Sequence, residues 1–278
     1  MFRVTLPKGD RVMSVYLSRS GFSILQVLAV AAVIVIGIAI LLPALQQPRG
    51  GGRQMSNNTQ LRGIHQAFLV FSQTSKRGGG QNYFPGLDFS GQIIPNGQDS
   101  YFSGDGTDPA ARLAMLLNGN FFTPEYMINP ADARAVEAEP AESGDFERLT
   151  EKHYSYAMLG LATPDDQRIT EWKETLNTSA PVMSDRAIGK GRDDISSLWT
   201  ETGSGDWHGG VVRNDNSTSY ETTAEFEQTK YGDAAANELD HLFEDAPNRP
   251  DDPATEIDER PADAFMVFED PHTAYSAE

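Results

Sequence analysis

FSILQVLAVAAVIVIGIAILL, residues 22–42, is a run of 21 positions without a charged side chain. As a helix rising 1.5 Å per residue it would be about 31 Å long, close to the roughly 30 Å hydrocarbon thickness of a bilayer. Each Leu, Ile, Val or Phe favours insertion by roughly 0.3 to 0.6 kcal/mol, which outweighs the cost of Ser23, Gln26 and Gly37. A buried helix of a soluble domain would carry a polar face, and this run has none. The expectation is a single transmembrane helix over 22–42.

The flanks give the run a direction. Residues 1–21 hold Arg3, Lys8, Arg11 and Arg19 against Asp10, a net of +3, whereas Arg49, Arg53 and Arg62 are dispersed beyond the run. The positive-inside rule then keeps the N-terminus cytoplasmic and sends the chain after Pro43 outward. An ordinary signal peptide shares the basic leader, but its apolar region spans about 7 to 15 residues and ends in a small-x-small site. Pro43-Ala44-Leu45 matches that site poorly.

The junction reads Ser20-Gly21-Phe22-Ser23-Ile24-Leu25-Gln26. A Gly before Phe, then a small hydroxyl residue, aliphatics and a long apolar run, resembles the class III signal of type IV pilins and type II secretion pseudopilins. The resemblance implies cleavage after Gly21 by a prepilin peptidase and N-methylation of Phe22, with Arg19, Ser20, Gly21 and Phe22 as the processing site. It also implies that the apolar helix stays in the mature subunit, and that Pro43, twenty-second from Phe22, stands where many pilins bend their helix. Later phrases are similar to one bacterial branch of prepilin-like proteins: Pro43-Ala44-Leu45-Gln46, residues 60–67 (QLRGIHQA), Phe84-Pro85-Gly86-Leu87-Asp88, and Trp207-His208-Gly209-Gly210-Val211-Val212 with Asn214-Asp215-Asn216.

One position departs from that pattern. The family's fifth mature residue is normally Glu, thought to pair with a neighbour's N-terminal amine, and here it is Gln26. Gln26 can hydrogen-bond but supplies no ion pair. Subunits at the tip of a pseudopilus are the family members that lack the acid, so Gln26 points either to a minor or tip subunit or to a tolerated polar residue.

Composition narrows the partners. The chain has 278 residues, a net charge of -18 and no cysteine. So acidic a protein is not built to bind nucleic acid, which requires clustered Lys and Arg. Without disulfides the exported part must rely on its core.

Beyond Pro43 a stalk helix is expected, interrupted at Pro48 and Gly50-Gly51-Gly52, because Gly costs about 1 kcal/mol and Pro about 3 kcal/mol in a helix. It resumes at Ser56 or Asn57 as N-cap, with Leu61, Ile64, His65, Phe68 and Phe71 or Val70 on one face for packing on a sheet. His65 reads as a core residue rather than a ligand, since no partner stands at metal-ligand spacing. Asp99, Asp105 and Asp108 raise calcium as a cofactor, but they lack the regular alternation of an oxygen cage. No cofactor is therefore expected. Asp108 also reads as the N-cap of a short helix over 109–118.

Strand signals follow at 153–159, 180–185, and in a hairpin of 210–213 with 218–222 around Asn214-Asp215-Asn216-Ser217. A helix over 166–176 would turn Trp172 inward. His208 with Asp193, Asp194 or Asp206 can be drawn as a base and its orienting acid, but no nucleophile or phosphate-binding loop accompanies it. Glycines before a strand more often permit close backbone approach, so no enzyme is expected. Residues 232–278 carry fourteen acidic side chains against Arg249 and Arg260. They read as a mostly disordered tail, except Ala264–Phe268, which could dock on a partner or fold back on the sheet.

The domains expected are a cleaved leader (1–21), a transmembrane helix (22–42), an interrupted stalk (43–80), an exported α+β domain (81–231) and the acidic tail (232–278). The fold expected is α+β and pilin-like, a long N-terminal transmembrane helix packed on a small antiparallel sheet. The function expected is a structural subunit of a type II secretion or type IV pilus-like assembly, single-pass in the inner membrane with its C-terminal domain exported. Its partners would be the prepilin peptidase, other subunits and the inner-membrane assembly platform. The competing expectation is a signal-anchored, exported ligand-binding domain that never polymerises.

Overall fold

The computed structural model describes residues 23–46, 48–74, 83–96, 104–147, 149–162, 166–200, 206–226, 241–244, 264–268 and 274–276, with the side chains of 39–46, 48–50 and 166–167 outside the description. The chain divides into two compact units, Met1–Arg49 and Gly50–Glu278.

The first unit contributes α1, Ile24–Gln46. Its side chains are described from Ile24 to Ile38, a stretch of about 22 Å at 1.5 Å per residue. Among the described residues no helix is long and apolar enough to cross a membrane. This overturns the single-pass inner-membrane placement. The expected span runs from Phe22 to Leu42, of which Phe22 and the side chains of 39–42 lie outside the described residues.

The next helix is α2, Pro48–Thr74, which belongs to the second unit from Gly50 onward. Helices are described on either side of Gln47, Ile24–Gln46 and Pro48–Thr74, and Gly50-Gly51-Gly52 lie inside the second helix. Pro48 is the first helical residue, where its missing N–H is no loss, and the glycines follow it inside the helix. Docking of the later turns overrides the weak local propensity. The face read from the sequence is the one that docks: Leu61, Ile64, His65 and Phe68 are buried, Phe71 is half-buried and Val70 is exposed.

The pilin-like fold expectation is also overturned. Among the described residues no helix is long and apolar enough to be the transmembrane N-terminal helix, and they form two sheets, of five and three strands, in place of one. The five-stranded sheet runs β6-β5-β2-β1-β7 and is antiparallel throughout. Its strands are β1 (Tyr156–Leu159), β2 (Pro181–Asp185), β5 (Gly209–Arg213), β6 (Thr218–Glu221) and β7 (Met266–Val267). The second sheet, β4-β3-β8, joins β3 (Ala187–Ile188) to β4 (Ser196–Ser197) antiparallel and to β8 (Tyr275–Ser276) parallel. Strands of two residues carry no alternating pattern, so neither β7 nor the second sheet was visible in the periodicity.

Aromatic side chains fill the centre. Phe68 of α2 lies 5.5 Å from Phe84 and 5.3 Å from Trp172, ring centroid to centroid, and the Trp172 indole N–H donates to the Pro85 carbonyl at 2.8 Å. The helix expected over 166–176 ends at Glu171 as α4 (Asp166–Glu171), and Trp172, just after it, is buried. Phe84-Pro85-Gly86 is fixed by contact between two backbones. A Cβ on Gly86, at φ +102°, would sit 2.2 Å from the Gly106 carbonyl oxygen. Asp108 caps α3 (Pro109–Asn118) by accepting from the Ala110 amide at 2.9 Å.

Residues 264–268 and 274–276 belong to the fold. Ala264–Phe268 is buried and supplies β7, and Ala274–Ser276 closes the second sheet. Of the two fates read for 264–268, folding back on the sheet is the one observed.

Candidate functional site

In α1 a polar pair stands at the start of an otherwise apolar surface. Ser23 precedes the helix, and its backbone N–H donates to Gln26 Oε1 at 3.0 Å while the Gln26 amide donates to Ser23 Oγ at 3.3 Å. This reciprocal capping box satisfies two donors that a helix N-terminus otherwise leaves orphaned. The side-chain carbonyl of Gln26 is thus engaged in its own helix. Beyond it the aliphatic side chains stand out in every direction, from Ile24 at 81% exposed to Ile38 at 50%. Soluble proteins rarely leave so continuous an apolar surface uncovered.

The sequence-predicted residues distribute as follows. Arg19, Ser20, Gly21 and Phe22 lie outside the described residues, as does Asp99. Pro43 falls within α1, with its side chain outside the description. Asp105 accepts from the Thr107 amide at 2.8 Å and from its hydroxyl, while Asp108 caps α3, so each acid serves its own local turn. Among the described residues no group of three or more His, Cys, Asp or Glu could hold a metal ion.

His65 is buried between Phe68 and Phe84, with Nδ1 3.2 Å from Asn216 Oδ1 and Nε2 without a hydrogen-bond partner. Burial pulls its pKa down to about 4, against the smaller upward pull of Asn216 and Asp215, so the ring is neutral. His208 is half-buried, and its backbone carbonyl accepts the Ser197 hydroxyl. Asp193, Asp194 and Asp206 are exposed, and none of the three is hydrogen-bonded to the His208 ring.

The residues that pattern reading missed form a buried polar clamp between α2 and the large sheet. Asp185, the last residue of β2, is fully buried. Asn57 Nδ2 of α2 donates to both its oxygens, at 2.9 and 3.0 Å. The Trp199 indole N–H and the Gly210 amide both donate to Oδ2, at 2.8 and 2.7 Å. Tyr156 of β1 completes the ring by donating its hydroxyl to Asn57 Oδ1 at 2.9 Å. Burial lifts the Asp185 carboxyl to about 6, and these donors hold it below where burial alone would place it.

This arrangement explains Trp207-His208-Gly209-Gly210. A Cβ on Gly210 would lie 2.6 Å from Asn57 Nδ2 and 2.7 Å from Leu61 Cδ1, so the glycine lets α2 seat on β5. A second buried pair supports the other flank. Arg186 meets Asp132 in a two-point ion pair, Nε to Oδ2 at 3.1 Å and Nη2 to Oδ1 at 3.2 Å, and its Nη1 donates to the Ser276 hydroxyl at 2.6 Å. The signal that could have flagged both is Asp185-Arg186 inside the apolar stretch 180–188, because charges in a buried strand require partners.

The Asp185 clamp holds helix to sheet with the Asn57, Trp199 and Gly210 donors all directed inward, whereas the aliphatic surface of α1 is exposed. Comparison with protein-family models, curated proteins and solved structures found no match.

Proposed function

We propose that this chain is a non-enzymatic structural subunit of a type II secretion or type IV pilus-like assembly. Prepilin peptidase cuts it after Gly21, Phe22 becomes the methylated N-terminus, and copies associate with one another and with an assembly platform through α1. The observation that carries this reading is the exposed aliphatic surface of α1 between Ile24 and Ile38. An apolar surface on all sides of a helix must be covered, and the same helix on neighbouring subunits is a cover of matching chemistry. The class III-like junction Gly21-Phe22-Ser23 supports processing immediately before that helix.

Gln26 fits this role without supplying a charge. Its capping box fixes the first turn of α1, the work that the acid of a Ser-x-x-Glu box would also do. Site-specific photo-crosslinking from Val30 tests the proposal in the full chain. A ladder of covalent multimers is the expected result, and a crosslinked product that never exceeds the monomer overturns it.

A further inference from the structure

The hydrogen bonds that enter the Asp185 carboxylate divide unequally between its two oxygens. Oδ2 accepts from the Gly210 amide at 2.7 Å, the Trp199 indole at 2.8 Å and Asn57 Nδ2 at 3.0 Å, whereas Oδ1 accepts from Asn57 Nδ2 at 2.9 Å. All of these partners are donors. The arrangement suits an ionised carboxylate, which only accepts, and a proton placed on Oδ1 would be one more donor with no acceptor opposite it. A buried O–H left in that state carries its whole desolvation cost, so the neutral acid needs a different set of contacts.

The neighbouring side chains already hold that second set. The Asn57 amide keeps its oxygen on the side of Tyr156, where it accepts the phenol hydroxyl at 2.9 Å. Amide oxygen and nitrogen are nearly equal in size, so half a turn of the amide exchanges them in the same space. Asn57 Oδ1 then accepts from protonated Asp185 Oδ1, and Asn57 Nδ2 donates to the Tyr156 oxygen. The Tyr156 hydrogen has somewhere else to go, because Gln60 Oε1 lies 3.2 Å from the same hydroxyl. Gln60 stands three residues from Asn57 on α2, and its Nε2 donates to the Glu125 carbonyl at 3.1 Å, which keeps Oε1 turned toward Tyr156. Trp199 and Gly210 stay on Oδ2 throughout. Asp185, Asn57, Tyr156 and Gln60 each have a partner in both arrangements.

The charges around the cluster leave the proton on Asp185. Among the described residues the titratable groups that face it are Tyr156 of β1 and Tyr220 of β6, both phenols pushed up by burial first and by the Asp185 charge as well. Asp132, which also acts on Tyr156, is paired with Arg186. From α2, β5 and the Trp199 loop the contacts are Asn57, Gly210 and Trp199, none of which titrates. Burial lifts the Asp185 carboxyl to about 6, so uptake occurs in mildly acidic solution. We infer that Asp185, Asn57, Tyr156 and Gln60 form a two-state hydrogen-bond switch. One proton taken from solvent onto Asp185 Oδ1 turns the Asn57 amide over and passes the Tyr156 hydroxyl bond from Asn57 to Gln60, so α2 stays seated on the sheet while the polarity of the network reverses. The switch lies within the second unit and operates whether or not copies assemble.

Titration of the full chain by NMR, with isotope-labelled aspartate carboxyls and asparagine amides, tests this. The Asp185 signal is identified by its loss in Asp185→Asn. Gln60→Met removes the acceptor that Tyr156 needs only after proton uptake, so the Asp185 midpoint should fall by up to about one pH unit, the worth of one hydrogen bond. Trp199→Phe removes a donor that favours the ionised form, so the midpoint should rise. Gln60 and Trp199 are both half-buried, which spares the fully buried members of the clamp. In the parent, the Asn57 amide signals should move with the same midpoint as the Asp185 carboxyl. Equal midpoints in the parent and Gln60→Met, a shift of both variants in one direction, or Asn57 signals that stay in place through the titration would each overturn the inference.

Discussion

Helices α1 and α2 follow one another in the chain and meet their surroundings in opposite ways. α1 is nearly all aliphatic, yet its described side chains are exposed; α2 is rich in Asn, Gln, Ser, Thr and Gly, yet it forms the spine of the second unit's core. Mean apolarity therefore does not decide which helix a domain is built on. What decides it is one stripe at helical spacing, Leu61, Ile64 and Phe68, combined with polar groups that find partners when buried. Asn57 belongs to that docked face as fully as Leu61 does, because Asp185 and Tyr156 satisfy its amide.

The contrast can be broken most severely from the α2 side, by removing what seals its sheet. Phe268→Ala deletes a buried ring that packs on Tyr154 and Arg186, and should lower stability by about 3 to 5 kcal/mol, read as a shift of the urea midpoint. An unchanged midpoint would return 264–268 to the solvated tail. Asp185→Ala comes next. It strands the Asn57 amide, the Trp199 indole and the Gly210 N–H, each orphaned donor costing about 1 to 3 kcal/mol, so a total of at least about 3 kcal/mol is expected. Gly210→Ala should cost about 1 to 3 kcal/mol by pushing α2 off β5, with a larger loss of hydrogen-exchange protection in α2 than in β6.

Acid sharpens the comparison inside the clamp. The folded Asp185 carboxyl sits near 6, above its ordinary 3.8, so the folded state takes up that proton first and this group adds stability as pH falls from about 6 to 3.8. His65 and His241 sit near 4, below the ordinary 6.5, so the unfolded state protonates first and they subtract stability between 6.5 and 4. Burial is the leading cause in all three. The opposing slopes partly cancel in the parent. Asp185→Asn should remove the gain and leave stability falling more steeply from pH 6.5 to 4; urea titrations at several pH values would show it, and parallel profiles would contradict it. The smallest effect is expected in α1, where Val30→Ser should leave the melting of the second unit within about 0.5 kcal/mol of the parent while weakening assembly.

Much of the local structure was legible because local chemistry fixes it. The Asp108 cap, the hairpin around Asn214-Asp215-Asn216, the inward Trp172 and the docked stripe of α2 all follow from residues a few positions apart. The clamp was not, since Asn57 and Asp185 are separated by 128 positions and neither belongs to a periodic pattern. Propensity alone does not decide residues 50–52, since Gly50-Gly51-Gly52 lie inside α2. The two-residue strands β7 and β8 were hidden in a tail whose average composition argues for disorder, although Ala264-Phe265-Met266-Val267-Phe268 stood out as its one apolar stretch. In α1 the apolar run was plain, but the capping role of Gln26 emerged only from the geometry of its side chain with Ser23.

The most direct test of the proposed role is the N-terminal mass of the protein isolated from its native cells. Processing for assembly gives a chain that begins at N-methylated Phe22. An intact leader, or a first residue beyond Leu42, would contradict it and leave α1 without its proposed part in an assembly.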